Sequence, residues 1–229
     1  MSELKDQRDY WNDRANNWDL REPLIPDEEE LAFAAKYLDK DSDVLILGAT
    51  PQLCDLALEC EAGSVTSVDY AQNVIDKLRR PGVEYHCSDW SDFLDDTDRQ
   101  YDTIMTDGGL LSLEFPDTWR RIARQMYDHI RPRGMFVARV YVNTEEPPKA
   151  SYDNPNLERF VTSMGDVDAN WMVHPRHPAF NEYDMEYTFP PEREVLRTLG
   201  QFALLEKMVP NYEEGQRFVS YAWQKPEHK

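Results

Sequence analysis

Residues 43–69 read DVLILGATPQLCDLALECEAGSVTSVD. The run from Val44 to Leu47 is continuously apolar, as a strand buried on both faces must be. Gly48 follows where the chain has to turn sharply and let a ligand approach the backbone with no Cβ in the way. Thr50 suits a helix N-cap, and Pro51 suits the first helical position, where a missing N–H costs nothing. A helix is predicted from Pro51 to about Cys60, and SVTSVD (64–69) is a second β-rich run. Strand, tight turn, helix and strand make one unit of a parallel sheet. Its first turn is a ligand-binding corner at the carboxyl edge of that sheet.

The alternation continues on both sides. Upstream, DEEELAFAAKYLDK (27–40) opens with acids, sets Leu31, Ala34, Ala35 and Leu38 on one helical face, and carries Lys36 and Lys40 near its end. Those charges match the helix dipole. Downstream, AQNVIDKLRR (71–80) predicts a helix ended by Pro81 and Gly82, VEYHC (83–87) a third strand and YDTIMTD (101–107) a fourth. FPDTWRRIARQMYDHI (115–130) repeats Trp119, Ile122, Ala123, Met126, Tyr127 and Ile130 at helical steps. It ends in RPRG, and Gly134 opens the fifth strand, MFVARVYVN. PNLERFVTSM (155–164) and PEREVLRTLG (191–200) read as helices. FALLEKMVP (202–210) and RFVSYAWQK (217–225) close the chain as strands joined by a short turn, which makes them antiparallel neighbours.

The predicted fold is therefore α/β: a Rossmann-like, doubly wound, mostly parallel seven-stranded sheet with a C-terminal antiparallel strand pair. One domain is expected, with an N-terminal helical cap (1–40), a core (41–143), an insertion (144–190) and a closing helix and strand pair (191–229). A dinucleotide-binding dehydrogenase would instead continue with another crossover helix and a substrate domain.

At 229 residues, 41% hydrophobic and 12% aromatic, the chain can build one such core. No stretch approaches the roughly 20 apolar residues of a membrane span. The opening MSELKDQRDYWNDR is charged and lacks a signal-peptide apolar region, so a soluble, cytoplasmic protein is expected. Cys54, Cys60 and Cys87 fit neither a zinc pattern nor a disulfide framework and read as ordinary thiols; no metal is expected. The formal charge of −19 repels phosphate backbones and disfavours a nucleic-acid substrate. Acidic runs at 27–30, 39–43 and 89–98 read as solvated faces and loops.

Asp69 ends the second strand 21 residues after Gly48, where a carboxylate can accept hydrogen bonds from ribose hydroxyls. Tyr70 beside it can flank an adenosine. Only Gly48 stands where a dinucleotide pyrophosphate asks for a glycine-rich loop, so Ala49 and Thr50 suit a less anionic ligand better.

The succession VLILG, SVTSVDYAQNVI, YHCSDWSDF, QYDTIMTDGGLLSL and IRPRGMFVARV resembles the class I S-adenosylmethionine-dependent methyltransferases. The resemblance covers about residues 40–143, and the closing helix and strand pair extends it to the C-terminus. It implies S-adenosyl-L-methionine as cofactor, cradled by Gly48, Ala49 and Thr50. It implies ribose binding by Asp69 and adenine binding by Asp89, with Ser88 and Trp90 beside it. Asp107, Gly108 and Gly109 would face the methionine end and the acceptor. The family's first motif carries three alternating glycines, and Gly48, Thr50 and Gln52 occupy those places here.

The implied chemistry is direct displacement at the sulfonium methyl, in which positioning supplies about 7–11 kcal/mol of the barrier. Asp107 is the candidate acid–base or orienting group. TDGGLL (106–111) lacks the family's amide-methylating pattern, which disfavours nucleobase or glutamine amide acceptors and leaves a small-molecule acceptor. The insertion is the natural acceptor lid, with Tyr152, Trp171, His174, Arg176, His177, Tyr183 and Tyr187 as its wall and His174 or His177 as a general base. The alternative is a surface loop whose aromatics pack on one another. Tyr10, Trp11 and Trp18 either close over the cofactor or pack on the sheet. A non-catalytic adenosylmethionine-binding protein stands as the second reading, and a nicotinamide-dependent oxidoreductase as a third.

Overall fold

The computed structural model describes residues 5–18, 20–144, 153, 157–158, 161, 172–173, 182–184 and 186–227. Their helices are α1 (Gln7–Asn16), α2 (Glu28–Ala35), α3 (Pro51–Glu59), α4 (Gln72–Leu78), α5 (Trp90–Asp96), α6 (Asp117–His129) and α7 (Glu192–Thr198). The strands are β1 (Asp43–Leu47), β2 (Ser64–Asp69), β3 (Glu84–Cys87), β4 (Tyr101–Asp107), β5 (Ile130–Tyr141), β6 (Met172–Val173), β7 (Tyr187–Thr188), β8 (Ala203–Met208) and β9 (Phe218–Gln224). Seven of them form one sheet in the order β3-β2-β1-β4-β5-β9-β8. The first five are parallel, and β9 runs antiparallel between β5 and β8. This is the mostly parallel, doubly wound sheet with a closing antiparallel pair that the alternation predicted. β6 and β7 pair separately.

Strand β1 shows why the centre is stable. Leu45 and Leu47 pack with α5 and α6 on one face, through Trp90, Phe93, Leu94, Trp119 and Met126. Val44 and Ile46 pack with α2 and α3 on the other, through Phe33, Ala34, Leu53 and Ala57. Side chains alternate across a strand, so an uninterrupted apolar run fills both layers. Because every central strand is parallel, the carboxyl ends of β1, β2 and β4 and the turns that leave them lie along one edge.

Three local expectations are corrected. The acidic run 89–98 is a solvated helix face rather than a loop, because most of it is helix α5. Trp90, Phe93 and Leu94 form a buried stripe, while Asp92, Asp95 and Asp96 face outward. Thr50 occupies the N-cap of α3, yet its side chain makes no capping hydrogen bond. Strand β5 begins at Ile130, ahead of Gly134. The register slips between Tyr101 and Thr103, and Arg133 takes φ 66°, so RPR bulges out while Ile130 already pairs with Tyr101. Of the helix expected over 155–164, Leu157, Glu158 and Val161 are described, and they are helical. No helix among the described residues is long and apolar enough to cross a membrane.

Trp119 of α6 is almost fully buried, meets Phe115 edge-on at 5.3 Å and donates its indole N–H to the Leu113 carbonyl at 3.2 Å. Trp119→Ala is expected to cost about 3–5 kcal/mol, read as a lower urea midpoint at an unchanged denaturant slope.

Candidate functional site

The turn after β1 is built from backbone geometry. Gly48 adopts φ 104°, which favours a residue without a Cβ, and its N–H bonds the Val68 carbonyl at 2.8 Å. The Asp69 carboxylate then bridges two turns. It accepts the Ala49 N–H at 3.0 Å on one oxygen and the Ala71 N–H at 2.8 Å on the other. Each oxygen keeps a lone pair for a further donor. Burial pushes the carboxyl above its ordinary range, and the two N–H bonds oppose that shift. Trp90 donates its indole N–H to the Val68 carbonyl at 3.1 Å, which seats its ring beneath Gly48 and Gly109. A Cβ at Gly109 would run into that indole, so only glycine fits there.

These groups surround a cavity of about 190 Å³. Of the residues predicted from sequence, Gly48, Ala49, Thr50, Asp69, Tyr70, Trp90, Asp107 and Gly108 line it together. Ser88 and Asp89 do not. Asp89 is exposed, and its carboxylate caps α5 by accepting the Ser91 N–H at 2.8 Å. His174 and His177 lie outside the described residues, as do Tyr152, Trp171 and Arg176. From the insertion, Tyr187 joins the wall. Tyr183 instead supports it, meeting Tyr10 edge-on at 5.2 Å and donating to Asp13 at 3.0 Å.

The N-terminal segment closes one side. Helix α1 lies on α4, where Asn73 donates its backbone N–H to the Asn12 side chain at 2.9 Å. This packing brings Tyr10, Trp11 and Trp18 into the wall, and the following loop adds Leu20, Leu24 and Ile25. Among the described residues the wall carries two carboxylates, Asp69 and Asp107, and no Lys, Arg or His. Also among the described residues, no cluster of His, Cys, Asp and Glu could hold a metal ion.

Beneath the wall lies a buried charge cluster that the sequence reading missed. Arg139, near the carboxyl end of β5, donates from Nε to Asp107 at 2.5 Å. Its Nη1 donates to the carbonyls of Pro23 at 2.7 Å and Ile25 at 3.2 Å and to the Glu30 carboxylate at 3.1 Å. Nη2 reaches the Tyr141 hydroxyl at 3.2 Å. Glu30 also closes a reciprocal capping box with Asp27 at the start of α2, and accepts from Tyr212 at 3.3 Å. Burial works against the Arg139 charge, but Asp107, Tyr141 and Glu30 hold it well above its ordinary value. Burial pushes the Asp107 carboxyl up, and Arg139 pulls it back. Burial also drives Glu30 up to about 7, with Arg139 opposing. One signal was available: Arg139 is the only charge in MFVARVYVN, and a charge within a buried run requires a partner.

No family model matches the chain, and no curated protein sequence matches it. Solved structures do share its fold. The CcbJ methyltransferase of Streptomyces caelestis is 15% identical with a TM-score of 0.67, over 98% of this chain and 100% of that one. The 1,6-didemethyltoxoflavin-N1-methyltransferase of Burkholderia thailandensis, solved with 1,6-didemethyltoxoflavin and S-adenosylhomocysteine, is 17% identical with a TM-score of 0.66, over 96% and 87%. A Rhodobacter sphaeroides structure named for zinc-dependent alcohol dehydrogenases is 16% identical with a TM-score of 0.67, over 98% and 99%. The chain therefore has the fold of adenosylmethionine-dependent methyltransferases. Fold alone does not assign an activity.

Arg139→Met would leave two buried carboxylates without a counter-charge and is expected to cost about 3–5 kcal/mol in urea unfolding. Adding Asp107→Asn and Glu30→Gln to the same chain is expected to restore most of that loss. Glu30 also gives a pH signature. Its folded value of about 7 lies above the ordinary 4.5, so between those values the folded state holds a proton that the unfolded chain has released. That contribution to stability is present below pH 4.5 and is lost as pH rises through about 7. The difference in unfolding free energy between wild type and Glu30→Gln, followed across this window, is expected to show the slope.

Proposed function

We propose that the chain is an S-adenosyl-L-methionine-dependent methyltransferase acting on a small molecule. The observation that carries this is the cavity at the carboxyl ends of β1, β2 and β4, with the Asp69 carboxylate at one end and Asp107 at the other. The residues present fit the cofactor. Asp69 keeps lone pairs for two ribose hydroxyls, and Tyr70 and Trp90 offer aromatic faces for a base. The turn at Gly48 leaves the backbone open to close approach. Two carboxylates on a wall whose described residues include no cation suit a ligand carrying positive charge.

When bound, the cofactor supplies a methyl group on a sulfonium, open to in-line attack. The chain's own residues do the positioning. Tyr10, Trp11 and Trp18 exclude water from one side, and Leu24, Ile25 and Tyr187 shape the space next to Gly108. In this reading Asp107, held by Arg139, orients rather than moves a proton. His174 and His177 are the candidate general bases, and the insertion 144–190 is the acceptor lid of a single domain. The acceptor is neutral or cationic, because a carboxylate or phosphate would meet acids on the wall and no described cation. The −19 charge likewise supports a small-molecule acceptor over nucleic acid, in a cytoplasmic protein.

A second reading, a non-catalytic adenosylmethionine-binding protein, is favoured by one observation: Asp107 is engaged by Arg139 and no other base stands on the described wall apart from Asp69. Turnover separates the two. An acceptor screen that yields S-adenosylhomocysteine, with kcat lowered in His174→Ala or His177→Ala while cofactor affinity holds, supports the enzyme. Tight binding without turnover across the screen supports the second reading.

Calorimetry tests the premise of both. Wild type is expected to bind S-adenosylhomocysteine at micromolar Kd, and Asp69→Asn to weaken it about 10- to 100-fold, as loss of hydrogen bonds to a charged acceptor does. A folded wild type that binds neither adenosylmethionine nor adenosylhomocysteine would remove the proposal.

A further inference from the structure

Glu30 lies in the core with 3% of its surface exposed, and nothing in its local structure calls for a charge. At the third position of α2 it closes the capping box with Asp27, a role that glutamine fills as well. Arg139 does not need it as a counter-charge either. Asp107 already supplies one, and the carbonyls of Pro23 and Ile25 and the hydroxyl of Tyr141 accept from the other guanidinium nitrogens. A second carboxylate withdrawn from water is costly where one would balance the cation.

Its consequence is a change in the charge of the cluster. With Glu30 ionised, two carboxylates share one guanidinium and one negative charge is left over. With Glu30 protonated, Arg139 and Asp107 balance. The other groups that face Glu30 leave this count alone. Burial holds the hydroxyls of Tyr141, on β5, and Tyr212, ahead of β9, above their ordinary range and therefore neutral. Asp27 meets Glu30 with its backbone N–H. Asp107 is joined to Glu30 through the Arg139 guanidinium, at 2.5 Å on one side and 3.1 Å on the other, and it borders the cavity. The extra charge therefore lies one guanidinium behind the wall, where the absence of water leaves it weakly screened. Burial drives the Glu30 carboxyl up to about 7, so the cluster changes charge near neutral pH.

We propose that Glu30 is a specificity-determining residue, whose ionised carboxylate favours a cationic over a neutral occupant at the Asp107 end of the cavity. On the adenosylmethionine reading given above, on which this rests, that occupant is the sulfonium. Glu30 then distinguishes the charged methyl donor from the uncharged thioether that transfer leaves behind. Above about pH 7 the cluster carries its extra negative charge and favours adenosylmethionine, and below that value the preference weakens. The coupling is reciprocal: a bound cation favours the ionised carboxylate, so adenosylmethionine expels a proton from the protein near neutral pH.

The test uses S-adenosylmethionine and S-adenosylhomocysteine, which differ by one methyl group and one positive charge. Calorimetry follows both on wild type and on Glu30→Gln from about pH 6 to about pH 8, in buffers of different ionisation heat. Groups on the ligands titrate alike against both proteins, so the quantity read is the wild-type change less that of Glu30→Gln. Across this window wild type is expected to gain about three- to tenfold in preference for adenosylmethionine relative to Glu30→Gln. It is also expected to release more protons on binding adenosylmethionine than the variant does. If preference and proton release follow the same course in both proteins, the assignment of Glu30 falls while the adenosylmethionine reading stands. A variant that weakens both probes equally at every pH marks a purely structural role and overturns the assignment too. If folded wild type binds neither probe, the adenosylmethionine reading itself falls, and this assignment with it. Melting shows whether ligand-free Glu30→Gln is folded. If it is not, the excess of protons released from wild type by adenosylmethionine over adenosylhomocysteine decides, and no excess overturns the assignment.

Discussion

A guanidinium buried near the carboxyl end of a central β-strand constrains everything around it. Arg139 has five N–H donors and no access to water, so each donor unmet by the protein would carry a desolvation cost. The chain answers with Asp107 at the end of β4, Glu30 on α2, two carbonyls of the loop before α2, and the hydroxyl of Tyr141. These partners come from three stretches of the sequence, 23–30, Asp107 and Tyr141, and each stretch also contributes to the cavity wall. Leu24 and Ile25 are wall residues because the loop that carries them is fastened through Pro23 and Ile25 to Arg139. Asp107 points where it does because its carboxylate is ion-paired from behind.

The two ends of the cavity follow different physics. At the Asp69 end, short-range geometry is enough: a glycine turn, a carboxylate that accepts from Ala49 and Ala71, and an indole seated by one hydrogen bond. At the Asp107 end, two carboxylates and one guanidinium share a site from which water is excluded, and their balance depends on burial. Rigid geometry at one end and a charge-balanced cluster at the other suit a ligand with a fixed nucleoside and a reacting centre that carries positive charge. The aromatic side contributed by α1 closes the space between them.

The legible parts of the sequence were those governed by local rules. VLIL announced a doubly buried strand because strand periodicity places alternate side chains on opposite faces. Asp69 was legible because its spacing from Gly48 equals the length of one strand–helix–strand unit. Asp89 was placed on the ligand by resemblance; in the structure it caps its own helix through the Ser91 N–H and does not line the cavity. The helix over Trp90–Asp96 went unread because acids at 92, 95 and 96 mask an apolar stripe only three residues deep. Glu30 read as one more acid at a helix start, although it also serves Arg139 from inside the core.

By itself, the sequence determined the order of the seven sheet strands and most of the helices between them, the parallel centre with its antiparallel close, and the corner formed by Gly48 and Asp69. Each depends on contacts within about one strand–helix–strand unit, where periodicity, turn chemistry and spacing are sufficient. Only the tertiary structure decided that Asp107 is ion-paired, that Glu30 and Tyr141 belong to the same cluster, and that α1 covers the cavity. Those outcomes depend on burial and on partners far apart along the chain, and a linear sequence does not state which distant groups will share a space without water.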